Sequence, residues 1–129
     1  MSSIKPVHSE HAPKAVGPYS QAMRHGDVLY LSGQIGLDAA TGALVGESVE
    51  DQARQVMHNL SAVLAAGGAG TDDIIKANIF LLDMADFPRI NAIYAEWLGK
   101  HRPARATVAV AALPLGARVE IDLIARIPD

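Results

Sequence analysis

Two charged residues in the C-terminal third of the chain have the side-chain types that acid–base chemistry on a small organic acid requires. Arg105 directly precedes a run of small and β-branched residues, 106–110, that is typical of a strand. A guanidinium is always charged, and its planar fork of donors can hold a carboxylate through two hydrogen bonds. Glu120 lies in the next apolar run. A partly buried carboxylate can have its pKa raised towards neutrality, where it is able to activate water.

Both residues also have simpler interpretations. Arg105 could be a surface arginine or the ion-pair partner of Glu120, and Glu120 could be a solvated glutamate on a strand. Their spacing in the sequence does not decide between these interpretations and a catalytic role.

Composition restricts the other kinds of site that the chain could contain. The chain has 129 residues and no cysteine, which excludes disulfides, zinc–thiolate sites and thiol nucleophiles. Its net charge of −3 argues against a nucleic-acid-binding protein, which would need a basic excess. The N-terminal segment has no apolar signal-peptide core, and no apolar run approaches the length of a membrane span. We therefore expect a cytoplasmic protein with one domain over residues 1–129.

The periodicity of apolar residues predicts the order β-β-α-β-α-β-β. The predicted elements are a hairpin over 21–35 that turns at Gly26-Asp27, a helix capped by Ser48 and stopped by Gly67-Gly68, a strand over 74–82, a helix from Asp86 to Gly99, and strands over 106–111 and 117–127. Residues 1–19 contain three prolines and are predicted to be an arm or loop. The apolar stripe predicted to be buried contains Ala53, Val56, Met57, Leu60, Val63 and Leu64 in the first helix, and Ile90, Ile93, Tyr94, Trp97 and Leu98 in the second. We expect a mixed sheet with hairpins at both ends, at least one parallel pair, and both helices on one face.

Side-chain alternation predicts one apolar face and one mixed face for this sheet. The apolar face, which the helices would cover, is predicted to contain Leu29, Leu31, Ile35, Ile75, Ala77, Ile79, Leu81, Val108, Val110, Val119, Ile121 and Leu123. The mixed face is predicted to contain Tyr30, Ser32, Gln34, Lys76, Asn78, Phe80, Arg105, Thr107, Glu120, Asp122 and Ile124. Such a face is either solvated or an oligomer surface that also lines a pocket, and its apolar members favour the second interpretation.

Four segments resemble motifs of the reactive-intermediate deaminase family, also known as Rid or YjgF. They are GPYSQA (17–22), LYLSGQIG (29–36), DFPRINAIY (86–94) and RPARATVAVAALPLGARVEIDLIA (102–125). They occur in the family's order, and the resemblance covers nearly the whole chain. The resemblance is closest to the archetypal imine-deaminating branch, because Arg105 is kept.

The resemblance implies a chorismate-mutase-like α+β fold and a homotrimer with clefts at the subunit interfaces. It also implies hydrolysis of 2-imino acids or their enamine tautomers, such as 2-iminobutanoate and 2-iminopropanoate, to 2-oxo acids and ammonia. Such chemistry needs neither a metal nor an organic cofactor, and no nucleic acid or membrane is implied as a partner. The alternative is a non-catalytic, trimeric small-ligand-binding or chaperone-like protein that uses the same clefts. A ribonuclease or translation inhibitor is disfavoured by the acidic charge.

The resemblance also implies roles for particular residues. Arg105 would hold the substrate carboxylate, Glu120 would hold or activate water, and the backbone at Thr107 would orient that water and the imine nitrogen. The pocket would be shaped, partly from the neighbouring subunit, by Tyr19, Ser32, Gly33, Phe87 and Asn91. The chain departs from many relatives at Thr107, where they have cysteine.

Overall fold

Six strands form one mixed sheet, and two helices pack on the same face of it. A computed structural model describes residues 3–129. Its elements are β1 (Ile4–Val7), β2 (Ala22–His25), β3 (Val28–Gln34), α1 (Val49–Ala66), β4 (Ile74–Leu81), α2 (Phe87–Leu98), β5 (Ala104–Ala109) and β6 (Val119–Arg126). The predicted α+β class, the parallel pair and the placement of both helices on one face are confirmed.

The N-terminal part of the sheet contains the predicted hairpin and one strand that was not predicted. Gly26 takes a φ of 59°, and His25 pairs with Val28 across the two-residue turn. Residues 4–7, which the prolines assigned to a loop, form β1 and pair antiparallel with β2. Pro6 is tolerated there because β1 is an edge strand, whose outer side makes no ladder bonds.

The predicted C-terminal hairpin is wrong. The strand order is β1-β2-β3-β6-β4-β5, so that β6 is inserted between β3 and β4 and is antiparallel to both. The α2 crossover brings β5 back parallel to β4, as such connections do. As a result, β5 is an edge strand and does not pair with β6.

The helices begin and end close to the predicted residues. The side chain of Ser48 accepts a hydrogen bond from the backbone of Asp51 at 3.2 Å and caps α1. Gly99, with a φ of 65°, ends α2. Asp86 occupies the N-cap position of α2, but its side chain makes no capping bond, which corrects the predicted cap. The stripe of α1 is buried as predicted and contains Ala53, Val56, Met57, Leu60, Val63 and Leu64. Each large aliphatic side chain buried in this way contributes roughly 1.5–3 kcal/mol to folding.

Two β-bulges shift the predicted alternation of side chains. The pairs Leu31↔Leu123 and Gln34↔Ile121 leave one extra residue in β3. The side chain of Gln34 is therefore buried, 8% exposed, instead of lying on the open face. A second bulge follows Ile74 and leaves Ile75, predicted for the apolar floor, 48% exposed.

Over residues 3–129, none of the helices has the length and apolar character needed to cross a bilayer.

Candidate active site

The pairing of β5 with β4 decides which way Arg105 points. Arg105 pairs with Ala77 and Thr107 pairs with Ile79. Ala77 and Ile79 are fully buried beneath the helices, so Arg105 and Thr107 lie on the helix side of the sheet. The prediction that they share a face with Glu120 is wrong. Alternation in β5 points to the wrong face, because Ala104, Ala106 and Val108 are more apolar than the set that contains Arg105 and Thr107.

Glu120 lies on the open side of the sheet. It pairs with Phe80 of β4, which pairs in turn with Val108 of β5. Val108, predicted for the apolar floor, is therefore on the open side and is 47% exposed. None of the ion pairs among residues 3–129 contains Glu120 or Arg105, which removes the interpretation of the two as an ion pair.

Side chains of α2 hold the guanidinium of Arg105. Its Nη1 donates a hydrogen bond to Asn91 Oδ1 at 2.6 Å. Its central carbon lies 5.2 Å from the ring centroid of Phe87 and 5.2 Å from that of Tyr94, within cation–π range. The three holding residues recur at helical spacing and therefore lie on one face of α2. A guanidinium has five N–H donors, so this arrangement fixes the group and leaves donors for a ligand carboxylate.

A recess beside Arg105 is large enough for a small organic acid. Its volume is about 480 Å³, and its lining residues are Asn91, Tyr94, Ala95, Leu98, Arg102, Pro103 and Arg105. The hydroxyl of Tyr94 is buried and has no hydrogen-bond partner among the described residues. Burial raises the pKa of Tyr94, and the charges of Arg105 and Arg102 partly oppose that rise. The phenol is therefore a neutral donor. It was predicted only as a core residue, although its spacing from Asn91 could have identified it.

The carboxylate of Glu120 lies against the backbone of the β3 bulge. A Cβ atom at Gly33 would lie 2.8 Å from Glu120 Cδ, so only glycine leaves room for this side chain. Burial raises the pKa of Glu120, and the nearby charge of Asp122 raises it further. Asp122 accepts a hydrogen bond from Asn78 at 2.8 Å, whereas no side-chain hydrogen bond among residues 3–129 involves Glu120. The carboxyl group of Glu120 therefore keeps its proton to a higher pH than an exposed glutamate does.

The hydroxyl of Ser32 has a positioning role. Its Oγ donates to the carbonyl oxygen of Ser20 at 2.6 Å, and its backbone N–H donates to that of Gln21 at 3.0 Å. These bonds fasten the segment that carries Tyr19, which is 53% exposed, to β3. The side chain of Gln21 in turn accepts from the backbone of Ser9 at 2.6 Å and anchors the N-terminal arm. This role of Gln21 was not predicted.

The predicted site residues therefore fall into two groups. The arginine half-site, on the helix side, contains Phe87, Asn91, Arg105 and Thr107, and the structure adds Tyr94, which was not predicted as a site residue. The glutamate half-site contains Gly33 and Glu120, on the open side, and Ser32, whose hydrogen bonds hold the segment that carries Tyr19. Within one subunit the sheet separates the two groups, so one chain cannot place a small substrate against both Arg105 and Glu120.

The side chain of Thr107 points away from Glu120. Its Oγ1 is buried and has no hydrogen-bond partner among the described residues. The backbone of Thr107 belongs to an edge strand, which keeps unpaired N–H and C=O groups on its outer side. The difference from the cysteine of many relatives thus lies in a buried atom, and the backbone is the part of Thr107 that a ligand could contact.

A second recess contains several titratable groups but no arrangement for a metal. Its volume is about 370 Å³, and it is lined in part by Glu10, His11, Asp38 and His58. Over residues 3–129, no group of three or more histidine or carboxylate side chains is placed to hold a metal ion.

Comparison with known proteins identifies relatives over almost the whole chain. The model of the family described as Endoribonuclease L-PSP matches residues 9–127. The mouse protein named 2-iminobutanoate/2-iminopropanoate deaminase is 45% identical over 127 residues, covering 97% of this chain and 94% of the mouse protein. The Arabidopsis thaliana protein named Reactive Intermediate Deaminase A, chloroplastic, is 48% identical over 126 residues, covering 96% of this chain and 67% of that protein. Other similar proteins are named only as RutC family proteins.

Solved structures share this fold. The crystal structure of E. coli TdcF with bound serine superposes with a TM-score of 0.90 at 38% identity, covering 95% of this chain and 98% of TdcF.

Proposed function

The chain belongs to the Endoribonuclease L-PSP family, which includes proteins named reactive-intermediate deaminases, and we propose that it hydrolyses 2-imino acids to 2-oxo acids and ammonia. The observation that carries this proposal is the way in which the guanidinium of Arg105 is held. Two aromatic rings and Asn91 fix its guanidinium beside an open recess, and donors remain for a substrate carboxylate. The preferred substrates would be small imines such as 2-iminobutanoate and 2-iminopropanoate.

The proposed reaction needs a held carboxylate and one general base. Arg105 binds the substrate carboxylate and so orients the adjacent C=N bond. The imine reacts in its protonated form, C=NH2+: Glu120 takes a proton from a water molecule as the water oxygen bonds to the imine carbon, and the C=N π electron pair moves to nitrogen, which gives a neutral carbinolamine. Glu120 then returns its proton to the amine nitrogen, the C–N bond breaks, and the hydroxyl becomes the 2-oxo group as its proton passes to the released ammonia. The raised pKa of Glu120 suits it both to accept the proton from water and to return it to the leaving nitrogen.

Two subunits would complete each site. The half-sites lie on opposite sides of the sheet, so we propose that Arg105 of one subunit faces Glu120 of the next in a homotrimer. The open face supports this arrangement, because it exposes the apolar side chains of Tyr30 and Val108 at 48% and 47%. The edge strand β5 would place the arginine half-site at the boundary between subunits.

The relatives' names agree with this chemistry. The mouse relative is named for the deamination of 2-iminobutanoate and 2-iminopropanoate. TdcF was crystallised with serine, whose carboxylate and adjacent nitrogen-bearing carbon correspond to those of a 2-imino acid. The acidic net charge of −3 does not favour the RNA substrate that the family description suggests.

Imine lifetime measures the activity directly. Threonine dehydratase generates 2-iminobutanoate, and semicarbazide traps the imine that remains. The wild-type protein should shorten the imine's lifetime, and Arg105→Ala should have almost no effect on it. Arg54→Ala is the matched control, because Arg54 is an exposed surface arginine on α1. An imine lifetime unchanged by the wild-type protein would instead favour the non-catalytic binding protein.

The role of Glu120 can be separated from that of Arg105. Glu120→Gln should slow turnover much more than it weakens the binding of 2-oxobutanoate, because the glutamine keeps the size of the side chain but cannot accept the proton. Comparable losses in turnover and binding would remove Glu120 from the role of base.

A further inference from the structure

The buried carboxylate of Asp86 connects the elements that carry the two half-sites. Asp86 is 2% exposed and directly precedes α2. Its Oδ2 accepts a hydrogen bond from Arg118 Nη2 at 2.9 Å, and its Oδ1 accepts one from Arg89. Because its side chain makes no capping bond to the helix, its contacts with these two guanidiniums are what hold it.

Arg118 connects Asp86 to the glutamate half-site. It directly precedes β6, in which Glu120 is the second residue. Its backbone N–H donates to Gln52 Oε1 at 2.8 Å, and its Nη1 donates to the carbonyl oxygen of Glu47 at 3.1 Å. The start of β6 is therefore tied both to α1 and, through Asp86, to the beginning of α2.

The helix α2 also connects Asp86 to the arginine half-site. Phe87 directly follows Asp86, and Asn91 and Tyr94 follow on the same face of α2. These are the three side chains that hold Arg105. A movement of the first turn of α2 would displace all three together.

We infer that Asp86 is a positioning residue that sets the geometry of Glu120 through Arg118 and that of Arg105 through α2. This inference rests on the proposed deaminase function for its effect on turnover. The structural part of the inference is that Asp86 fixes the position of the Arg105 side chain. This part can be measured without a substrate. Small misplacements of reacting groups reduce rates by large factors, so the effect should be visible in kcat.

The chain provides a matched control in a second aspartate–arginine pair. Asp73 is 9% exposed and accepts a hydrogen bond from Arg126 Nε at 3.1 Å, and its other oxygen accepts one from the backbone of Gly70 at 2.9 Å. No hydrogen bond or ion pair among residues 3–129 connects this pair with Arg105 or Glu120. Asp73→Asn therefore breaks a buried charged contact without disturbing either half-site.

The test compares Asp86→Asn with Asp73→Asn at equal fractions of folded protein. Both variants should unfold at lower temperature than the wild type. Only Asp86→Asn should lower kcat, by about tenfold, and raise the Kd for 2-oxobutanoate by a similar factor. Only Asp86→Asn should shift the Nε–H resonance of Arg105 in heteronuclear NMR spectra. That resonance is assigned as the one that is missing from the spectrum of Arg105→Lys.

Arg118→Gln should lower kcat as Asp86→Asn does. The factor by which the double variant lowers kcat should be smaller than the product of the factors for the two single variants.

Equal effects of Asp86→Asn and Asp73→Asn on kcat and on the Arg105 resonance would overturn the inference. If Asp86→Asn does not fold, Arg118→Gln decides, because the side chain of Arg118 is 38% exposed and the buried carboxylate of Asp86 keeps its contact with Arg89. A wild-type protein that neither turns over imines nor binds 2-oxobutanoate would refute the proposed function alone. The Arg105 resonance would still test the positioning role of Asp86.

Discussion

At the residue scale, the ionisation of Glu120 links the structure to a measurable pH dependence. Burial raises the pKa of this carboxyl above the ordinary value of 4.5, and the charge of Asp122 raises it further. A general base must be deprotonated, so turnover should rise as the pH increases through this pKa and fall as the pH drops below it. The acid limb of kcat/KM should therefore have its midpoint above 4.5.

The substitution Asp122→Asn tests the origin of this midpoint. It removes the nearby negative charge and keeps the shape of the side chain, so the acid limb should move to lower pH. The measurement is the pH profile of kcat/KM at constant ionic strength, corrected for uncatalysed imine hydrolysis. Asn78→Ala, which removes the hydrogen-bond partner of Asp122 but no charge, is the comparison. A midpoint at or below 4.5 in the wild-type protein would contradict the environment described for Glu120.

Gly33 offers a second prediction at this scale. A Cβ atom there would meet the carboxyl end of the Glu120 side chain, which can rotate away at little cost. Gly33→Ala should therefore reduce turnover strongly, while the free energy of unfolding changes by less than about 1 kcal/mol. Imine lifetime and urea unfolding, measured on the same preparation, check both parts. Unchanged turnover would show that the position of Glu120 against Gly33 is not needed.

The sequence indicated which residue types could bind a carboxylate or activate water, but not what surrounds them in the fold. A permanent cation at the start of a strand indicated a carboxylate-binding residue, because only arginine combines fixed charge with paired donors. The rings that hold the Arg105 guanidinium were less apparent from the sequence. An aromatic stripe on a helix usually belongs to the hydrophobic core, and Tyr94 was assigned to that core. The contact between Gly33 and Glu120 depends on strand pairing that local patterns do not contain.

At the element scale, two bulges and one inserted strand explain most of the errors. Periodicity found both helices and five of the six strands. It could not show that β6 lies between β3 and β4, because strand pairing over long sequence distances leaves no local signal. One extra residue in β3 or β4 breaks the alternation at the bulge, so the side chains on its two sides do not follow a single period of two. This is why Gln34 and Ile75 were assigned to the wrong faces.

The connection between β3 and α1 gives a stability prediction. A Cβ atom at Gly36 would lie 2.8 Å from Gln52 Cα and 2.9 Å from Gln52 O, both of which are backbone atoms of α1. Gly36→Ala should therefore lower the free energy of unfolding by about 1–3 kcal/mol, because the helix must shift. At Gly46 no atom lies within 4 Å of an added Cβ, so Gly46→Ala is the control. Urea unfolding at equal protein concentration compares the two, and equal midpoints would contradict the close packing of Gly36 on α1.

At the scale of the whole molecule, the sheet has one face covered by helices and one that is open. Glu120 lies on the open face, whereas Arg105 lies at the edge of the covered face. The sequence predicted the uncovered face and its mixed character, and family resemblance supplied the trimer. The division of the site between two faces was not predicted, because it depends on which set of alternating β5 residues faces the helices.

Subunit complementation tests the proposed sharing of the site between subunits most directly. Arg105→Ala and Glu120→Gln are each expected to be inactive as pure trimers. An equal mixture, dissociated and reassembled, should recover about a quarter of the wild-type turnover, since about three quarters of random trimers are mixed and each of these has one intact site of three. Turnover that stays at the level of the separate variants, in a mixture shown by mass spectrometry to contain mixed trimers, would contradict a site built from Arg105 of one subunit and Glu120 of the next.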